Sequence, residues 1–101
     1  MVHVIASIRI KPGCVARFIE LFKANVPLVR AENGCIDYFP AIDIDAELPR
    51  QLLEANVVTI IERWQDLEAL RAHGKAPHMS AYREQVRDLV EETSIKVLRE
   101  A

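Results

Sequence analysis

The chain has 101 residues, of which half are apolar and 28% are charged, and its formal net charge is −2. This length allows one domain with one modest core, and the composition is that of a folded protein rather than a disordered one. No basic stripe indicates a nucleic acid partner, and no apolar run approaches the roughly 18 residues that a membrane span requires. The N-terminus is too polar for a signal peptide, and the only cysteines are Cys14 and Cys35. We therefore expect a cytoplasmic protein with free thiols.

The first third of the chain predicts a strand followed by a helix. Residues 2–10 alternate with a period of two, which is typical of a strand, and Pro12-Gly13 ends it. Between residues 14 and 31 apolar side chains recur every three or four positions, as in an amphipathic helix. Pro27 lies inside this segment, and because it lacks a backbone N–H donor we expect it to kink the helix or to end its regular part.

The middle of the chain predicts two further strands. Residues 35–44 form the first, with a bend at Pro40, and residues 45–55 form a polar connection with room for one helical turn. Residues 57–64 carry the strongest strand pattern, and residues 57–61 are apolar on both sides of the strand. The chain has too few helices to cover both faces of a sheet, so we expect a symmetric homodimer in which two sheets pack together.

The last third predicts two helices and a final strand at residues 93–98. Asp66 is a suitable N-cap for a short helix that ends at Gly74, and Pro77 suits the first turn of the next helix. The apolar stripe of that next helix is expected to comprise Met79, Tyr82, Val86, Leu89 and Val90. The order β-α-β-β-α-β is that of the ferredoxin-like α+β fold, with the helices on one face of a four-stranded antiparallel sheet. It accounts for residues 1–101 as a single domain.

Two histidines flank the junction between these last helices. His73 lies at the C-terminus of the first helix, and His78 lies in the first turn of the second. The helix dipoles favour the charged form of His73 and the neutral form of His78. Such a pair could deprotonate a phenol and stabilise the anion that forms, so both are candidate catalytic residues. The competing interpretation is that His73 only caps a helix and His78 only hydrogen-bonds the loop.

A second group of candidates lies on the predicted sheet. Trp64 and Glu62 share one face of their strand, and Tyr38 lies on the strand expected to pair with it. Aromatic side chains at such positions are usually core residues. Here they could also form a slot that stacks a planar ring while Glu62 holds its polar edge. A buried Glu62 needs a partner, for which Arg63 and Arg9 are the candidates, either from the same chain or, for one of them, from the other subunit of the dimer.

The sequence lacks the signatures of cofactor chemistry. Its three glycines form neither a dinucleotide-binding motif nor a P-loop, and no nucleophile elbow or catalytic cysteine set is visible. His73 and His78 have no cysteine or aspartate beside them, which disfavours a metal site. We therefore expect neither a metal nor a cofactor, so that the electrons of any redox reaction would come from the substrate itself.

Several motifs, taken together in order and spacing, carry a resemblance to a known family. They are Ile8-Arg-Ile-Lys-Pro-Gly13, Val26-Pro27, Glu32-Asn-Gly-Cys35 followed by Tyr38 and Pro40, Ile61-Glu-Arg-Trp64, Ala72-His73 and Pro77-His-Met-Ser-Ala-Tyr82. Over its whole length the chain resembles the antibiotic biosynthesis monooxygenase family, and within it the bacterial quinol monooxygenases. The resemblance implies a dimeric α+β barrel with one pocket per subunit, and the oxidation of a quinol or related phenol by O2 without a cofactor. By position it makes His73 and His78 catalytic, and the substrate-binding residues are Tyr38, Glu62, Trp64 and Tyr82.

Two other functions stay open at this point. An isomerase or tautomerase of a small oxygenated metabolite, phosphorylated or not, would use the same imidazoles without O2, and the superfamily contains such an enzyme. A non-catalytic module would bind an aromatic compound without turning it over. The haem-degrading branch is disfavoured, because the first strand offers Ala6 and Ser7 instead of an asparagine and no histidine follows His78. The connection at residues 45–55 could act as a lid or as a dimer arm.

Overall fold

The structure is a computed structural model of residues 1–101, in which three helices pack on a four-stranded sheet. In chain order the elements are β1 (Val2–Ile10), α1 (Val15–Arg30), β2 (Cys35–Ala41), β3 (Val57–Trp64), α2 (Leu67–Gly74), α3 (Pro77–Val86) and β4 (Val90–Leu98). The strands are antiparallel and lie in the order β2-β3-β1-β4. The ferredoxin-like order is thereby confirmed, with the second helical segment divided into α2 and α3. No helix combines the length and the apolar character that crossing a membrane would require.

Strand alternation gives the sheet two different faces. The inner face packs against the helices, and the buried side chains of its two central strands include Val4, Ala6, Ile8, Val58 and Ile60. The outer face has Ile5, Phe39 and Ile61 as neighbours across three strands, and these side chains are half-buried. The inner face therefore belongs to the core, and the outer face is a partly apolar surface.

Helix α1 continues past Pro27 and ends at Arg30. Pro27 is exposed, so the carbonyl group that loses its N–H partner lies on the solvent side of the helix, where water can satisfy it. Val26 and Val29, on either side of the proline, are buried in the core. Burial of this apolar stripe holds the last turn in place although the sequence contains a helix breaker.

The helix boundaries before β4 agree with the sequence prediction at one end and differ at the other. Asp66 caps α2 by accepting a hydrogen bond from the Ala69 N–H at 2.8 Å, as predicted. The prediction that Leu89 and Val90 continue the stripe of α3 was wrong, because α3 ends at Val86. The Leu89 carbonyl instead accepts a hydrogen bond from Lys11 at 2.9 Å, and β4 begins three residues earlier than expected.

The connection between β2 and β3 contains no helical turn, and β2 ends at Ala41 rather than at Ile44. A side chain fixes its two ends instead, because Asp43 Oδ2 accepts a hydrogen bond from the Glu54 N–H at 2.8 Å. The apolar side chains of the connection lie on the surface, where Ile44 is 80% and Leu52 is 79% exposed. This segment therefore contributes little to the core of its own chain.

Candidate active site

A cavity of about 660 Å³ lies between the inner face of the sheet and helices α2 and α3. Its lining is mostly apolar, with contributions from β1, β3, β4 and α3. The polar and charged side chains that reach it are Tyr38, Glu62, His73, Tyr82, Arg83, Arg87 and Thr93. A concave apolar space with a few polar groups is the usual form of a site for a small organic ligand.

His73 is the imidazole that reaches this cavity. It lies in the last turn of α2, is 6% exposed and packs against the rings of Trp64 and Tyr38, with centroid separations of 4.6 and 5.4 Å. Its Nδ1 lies 2.9 Å from Oε2 and 3.1 Å from Oε1 of Glu32. Its Nε2 has no partner in the protein, and because no buried side-chain nitrogen is left unsatisfied, Nε2 is accessible from the cavity.

Glu32 joins His73 to the second histidine. Oε2 of Glu32 also lies 2.7 Å from Nε2 of His78, and the His78 side chain is 22% exposed. A carboxylate can only accept hydrogen bonds, so each imidazole must present an N–H group to it. In neutral His73 the proton therefore resides on Nδ1, and the lone pair of Nε2 is free. This is the tautomer that a general base requires.

Glu62 lies on the sheet beside His73 and has a different partner from those expected. Its Oε1 accepts a hydrogen bond from Nε1 of Trp64 at 2.9 Å, and both side chains are buried. The prediction of Arg63 or Arg9 as its partner was wrong, because both arginines lie on the outer face, where they pair with other carboxylates. Burial raises the pKa of Glu62, against the opposing effects of the Trp64 hydrogen bond and of His73.

Two tyrosines complete the polar lining of the cavity. Tyr38 stacks on Phe22 at 5.1 Å, and Tyr82 meets Phe22 edge-on at 5.7 Å. Burial raises the pKa of both phenols well above the ordinary value of tyrosine, and the nearby Glu62 carboxyl raises them further. The two hydroxyl groups therefore stay protonated near neutral pH. Neither has a hydrogen-bond partner in the protein, so both can donate to a ligand.

The structure places the predicted site residues in two groups. Those that line the cavity are Tyr38, Glu62, His73 and Tyr82. His78 and Trp64 do not line it. Trp64 hydrogen-bonds to Glu62, which does line the cavity, and His78 hydrogen-bonds to Glu32, the residue that joins it to His73. Sequence reasoning missed two residues, Glu32 and Arg83. The only sequence signal for Glu32 is its place in the Glu-Asn-Gly turn before β2, which gives no indication of its distant partners.

Comparison with known proteins agrees with this fold. Residues 1–85 match the sequence profile of the family described as "Antibiotic biosynthesis monooxygenase". The chain is 38% identical to "Probable quinol monooxygenase YgiN" of Escherichia coli (strain K12), over 98% of this chain and 97% of that protein. Among solved structures it is similar to Rv0793 from Mycobacterium tuberculosis, with a TM-score of 0.80 and 28% identity over 99% of this chain and 94% of the other. PA3566 from Pseudomonas aeruginosa has a TM-score of 0.81 and 26% identity, over 99% and 93% of the two chains.

Proposed function

The chain belongs to the antibiotic biosynthesis monooxygenase family, and from this premise we propose that it oxidises a quinol or related polycyclic phenol with O2, without a bound cofactor. The observation that carries the proposal is the geometry of His73, whose Nδ1 is held by Glu32 while its Nε2 is open to an apolar cavity. The 38% identity to the relative named "Probable quinol monooxygenase YgiN" supports the substrate class.

In the first step Nε2 of His73 removes the phenolic proton. The imidazolium that forms is stabilised by the carboxylate of Glu32 at 2.9 Å, which also keeps the ring from turning. Positioning of the base in this way is the same physical device as the carboxylate–histidine pair of hydrolases. The contacts with Trp64 and Tyr38 restrict the ring further.

The phenolate formed in this way is held by hydrogen bonds inside the cavity. The hydroxyl groups of Tyr38 and Tyr82 are protonated donors that reach the same space. Glu62, whose pKa burial raises, can also donate when it carries its proton. In an apolar surrounding such donors stabilise a developing oxyanion more strongly than they would in water.

The electrons of the reaction come from the substrate. The phenolate transfers one electron to O2, giving a phenoxyl-type radical and superoxide, which combine to a peroxide anion at a ring carbon. The proton held by His73 converts this anion to the hydroperoxide. The O–O bond then breaks as the C–H proton of the same carbon is removed, and this proton leaves with the departing hydroxide as water. For an anthrone the balance is CH2 + O2 → C=O + H2O, so that one oxygen atom enters the product and the other leaves as water.

His78 gives the base an exit for protons in this scheme. It is partly exposed and shares Oε2 of Glu32 with His73, so a proton can be exchanged between the cavity and solvent through the carboxylate. We therefore assign His73 the role of general base and His78 that of a positioning and proton-exchange residue. Alanine at His73 should reduce turnover more than alanine at His78.

The test is O2 uptake with reduced menadione and with anthrone, measured against the buffer rate. We expect His73→Ala to lower kcat/KM by about 10²- to 10⁴-fold, the usual contribution of a general base. His3→Ala, on the outer face of the sheet, is the matched control and should leave the rate unchanged. Oxygen uptake no faster than in buffer across a quinol panel would refute the proposal. Activity on an oxygenated metabolite that persists without O2 would indicate an isomerase, and ligand binding without any turnover would indicate a binding module.

The proposal includes a homodimer formed through the outer face of the sheet, in a reducing cytoplasm. The half-buried patch of Ile5, Phe39 and Ile61 supports the first part, because it is apolar and continuous across three strands. The two free thiols, Cys14 and Cys35, support the second. Light scattering after size exclusion should give twice the 11.5 kDa of one chain, and a monomer at all concentrations would contradict the dimer.

A further inference from the structure

Arg83 differs from Arg87, the other arginine of the cavity, in having no ion pair. It lines the cavity from α3, and its Nη2 donates a hydrogen bond to the Gly74 carbonyl, at the end of α2, at 2.7 Å. Arg87, which directly follows the last residue of α3, also lines the cavity but lies 3.2 Å from Glu84 and 3.9 Å from Asp88. Arg83 is therefore a tethered guanidinium group whose positive charge has no carboxylate partner in the protein, whereas the charge of Arg87 has two.

The charge of Arg83 acts inside the cavity and not only at its exposed edge. It lowers the pKa of the Tyr82 phenol, in opposition to burial and to Glu62, which both raise it. The only carboxyl group in the lining is Glu62, and burial raises its pKa, which disfavours its charged form. A positive guanidinium at the edge of an apolar cavity favours a ligand that carries a negative charge at one end.

We propose that Arg83 binds a carboxylate on the aromatic substrate, so that the protein acts on carboxylated quinols or phenols in preference to neutral ones. This inference rests on the proposed function and names its substrate class. The tether to Gly74 uses one nitrogen of the guanidinium, and Nε and Nη1 have no partner in the protein. The carboxylate then lies at the exposed edge, and the phenolic end of the ring system reaches His73 and the tyrosines. Arginine suits this role because its planar fork matches the two oxygens of a carboxylate.

The experiment compares two ligands of the same shape, 2-naphthoate and 2-naphthamide, by calorimetric titration at low and high salt. Neither is a quinol, so binding is measured without turnover. We expect 2-naphthoate to bind about tenfold more tightly or better, as a charge-assisted hydrogen bond provides, with a smaller ratio at high salt. Arg83→Gln should abolish the preference, whereas Arg87→Gln should retain most of it.

Equal affinities of the wild-type protein for the two ligands would overturn the inference even if a variant fails to fold. A preference that Arg83→Gln leaves intact would overturn it as well. The outcome is separable from the proposed function, because menadiol oxidation without carboxylate preference refutes only the anion site. Carboxylate preference without any quinol oxidation refutes only the oxidation.

Discussion

Replacement of Glu32 by glutamine tests the junction on which the proposed chemistry depends. If the amide oxygen takes the place of Oε2, both histidines keep an acceptor, but the amide nitrogen then lies 3.1 Å from Nδ1 of His73, which is itself a donor. If the amide is turned round, both histidines lose their acceptor at the nearer position. Since the side chains concerned are largely buried, we expect a loss of about 1.5 kcal/mol in the free energy of unfolding. This corresponds to a melting temperature lower by roughly 6 to 12 °C.

Expressed as a free energy, the same substitution should affect kcat/KM more than it affects stability. The imidazolium of His73 forms 2.9 Å from the Glu32 oxygen. With charge centres about 4 Å apart and an effective dielectric constant of about 20, their attraction amounts to about 4 kcal/mol. The amide dipole of glutamine keeps part of this stabilisation, so we expect a loss of about 2 kcal/mol, or roughly 30-fold in kcat/KM.

The assay combines thermal unfolding by circular dichroism with O2 uptake on reduced menadione. Glu20→Gln is the matched control, because it removes the same charge from a pair with Arg17 whose side chains are 58% and 71% exposed. That variant should differ from the wild type by less than about 0.5 kcal/mol and should keep its rate. Wild-type turnover in folded Glu32→Gln would show that the carboxylate does not assist the base.

Two further substitutions have definite expected signs. Because burial raises the pKa of Glu62, the folded protein holds this proton more tightly than the unfolded chain; the stability it provides is present below about pH 4.3 and is lost as pH rises through the folded pKa. In urea unfolding, the stability of Glu62→Gln relative to the wild type should therefore increase as pH rises above about 4.3, and a stability difference that is the same at every pH would contradict this. At Gly34, where φ is +85°, an added Cβ would lie 2.6 Å from the Cβ of Ala69. Gly34→Ala should cost about 3 kcal/mol, whereas Gly13→Ala, with φ +83° and no atom within 4 Å, should cost about 1 kcal/mol. Equal costs would show that the contact with Ala69 relaxes freely.

The fold could be predicted from the sequence where the signal is local. Alternation in β1 and β3 determines which side chains share a face, so strand position alone predicts that Glu62 and Trp64 are neighbours, as their hydrogen bond confirms. Asp66 and Pro77 mark helix starts because capping depends on only a few neighbouring residues. The end of α3 could not be predicted in this way, because Leu89 continues the helical period and only its hydrogen bond with Lys11, just after β1, removes it from the helix.

The site could be predicted only in part, for a related reason. His73, Tyr38 and Tyr82 are residue types with obvious chemistry, so composition alone makes them candidates. Glu32 is one of many carboxylates, and its partners lie 41 and 46 residues away in the chain. Sequence spacing also predicts that both imidazoles face one cavity. In the structure only His73 lines the cavity. His78 lies outside the lining and shares the carboxylate of Glu32 with His73.

The close approach at Gly34 explains how a carboxylate from the start of β2 comes to hold a histidine on α2. Ala69 and His73 are four residues apart on α2 and therefore lie on the same side of that helix. The turn containing Glu32 reaches this side only because Gly34 has no side chain, as a Cβ there would overlap Ala69, and because the Gly34 carbonyl accepts a hydrogen bond from Gln65 at 2.8 Å. A backbone requirement at one glycine thus determines the position of Glu32 relative to His73. If Gly34→Ala lowers turnover in protein that remains folded at the assay temperature, while Gly13→Ala does not, the geometry of this turn is part of the catalytic arrangement.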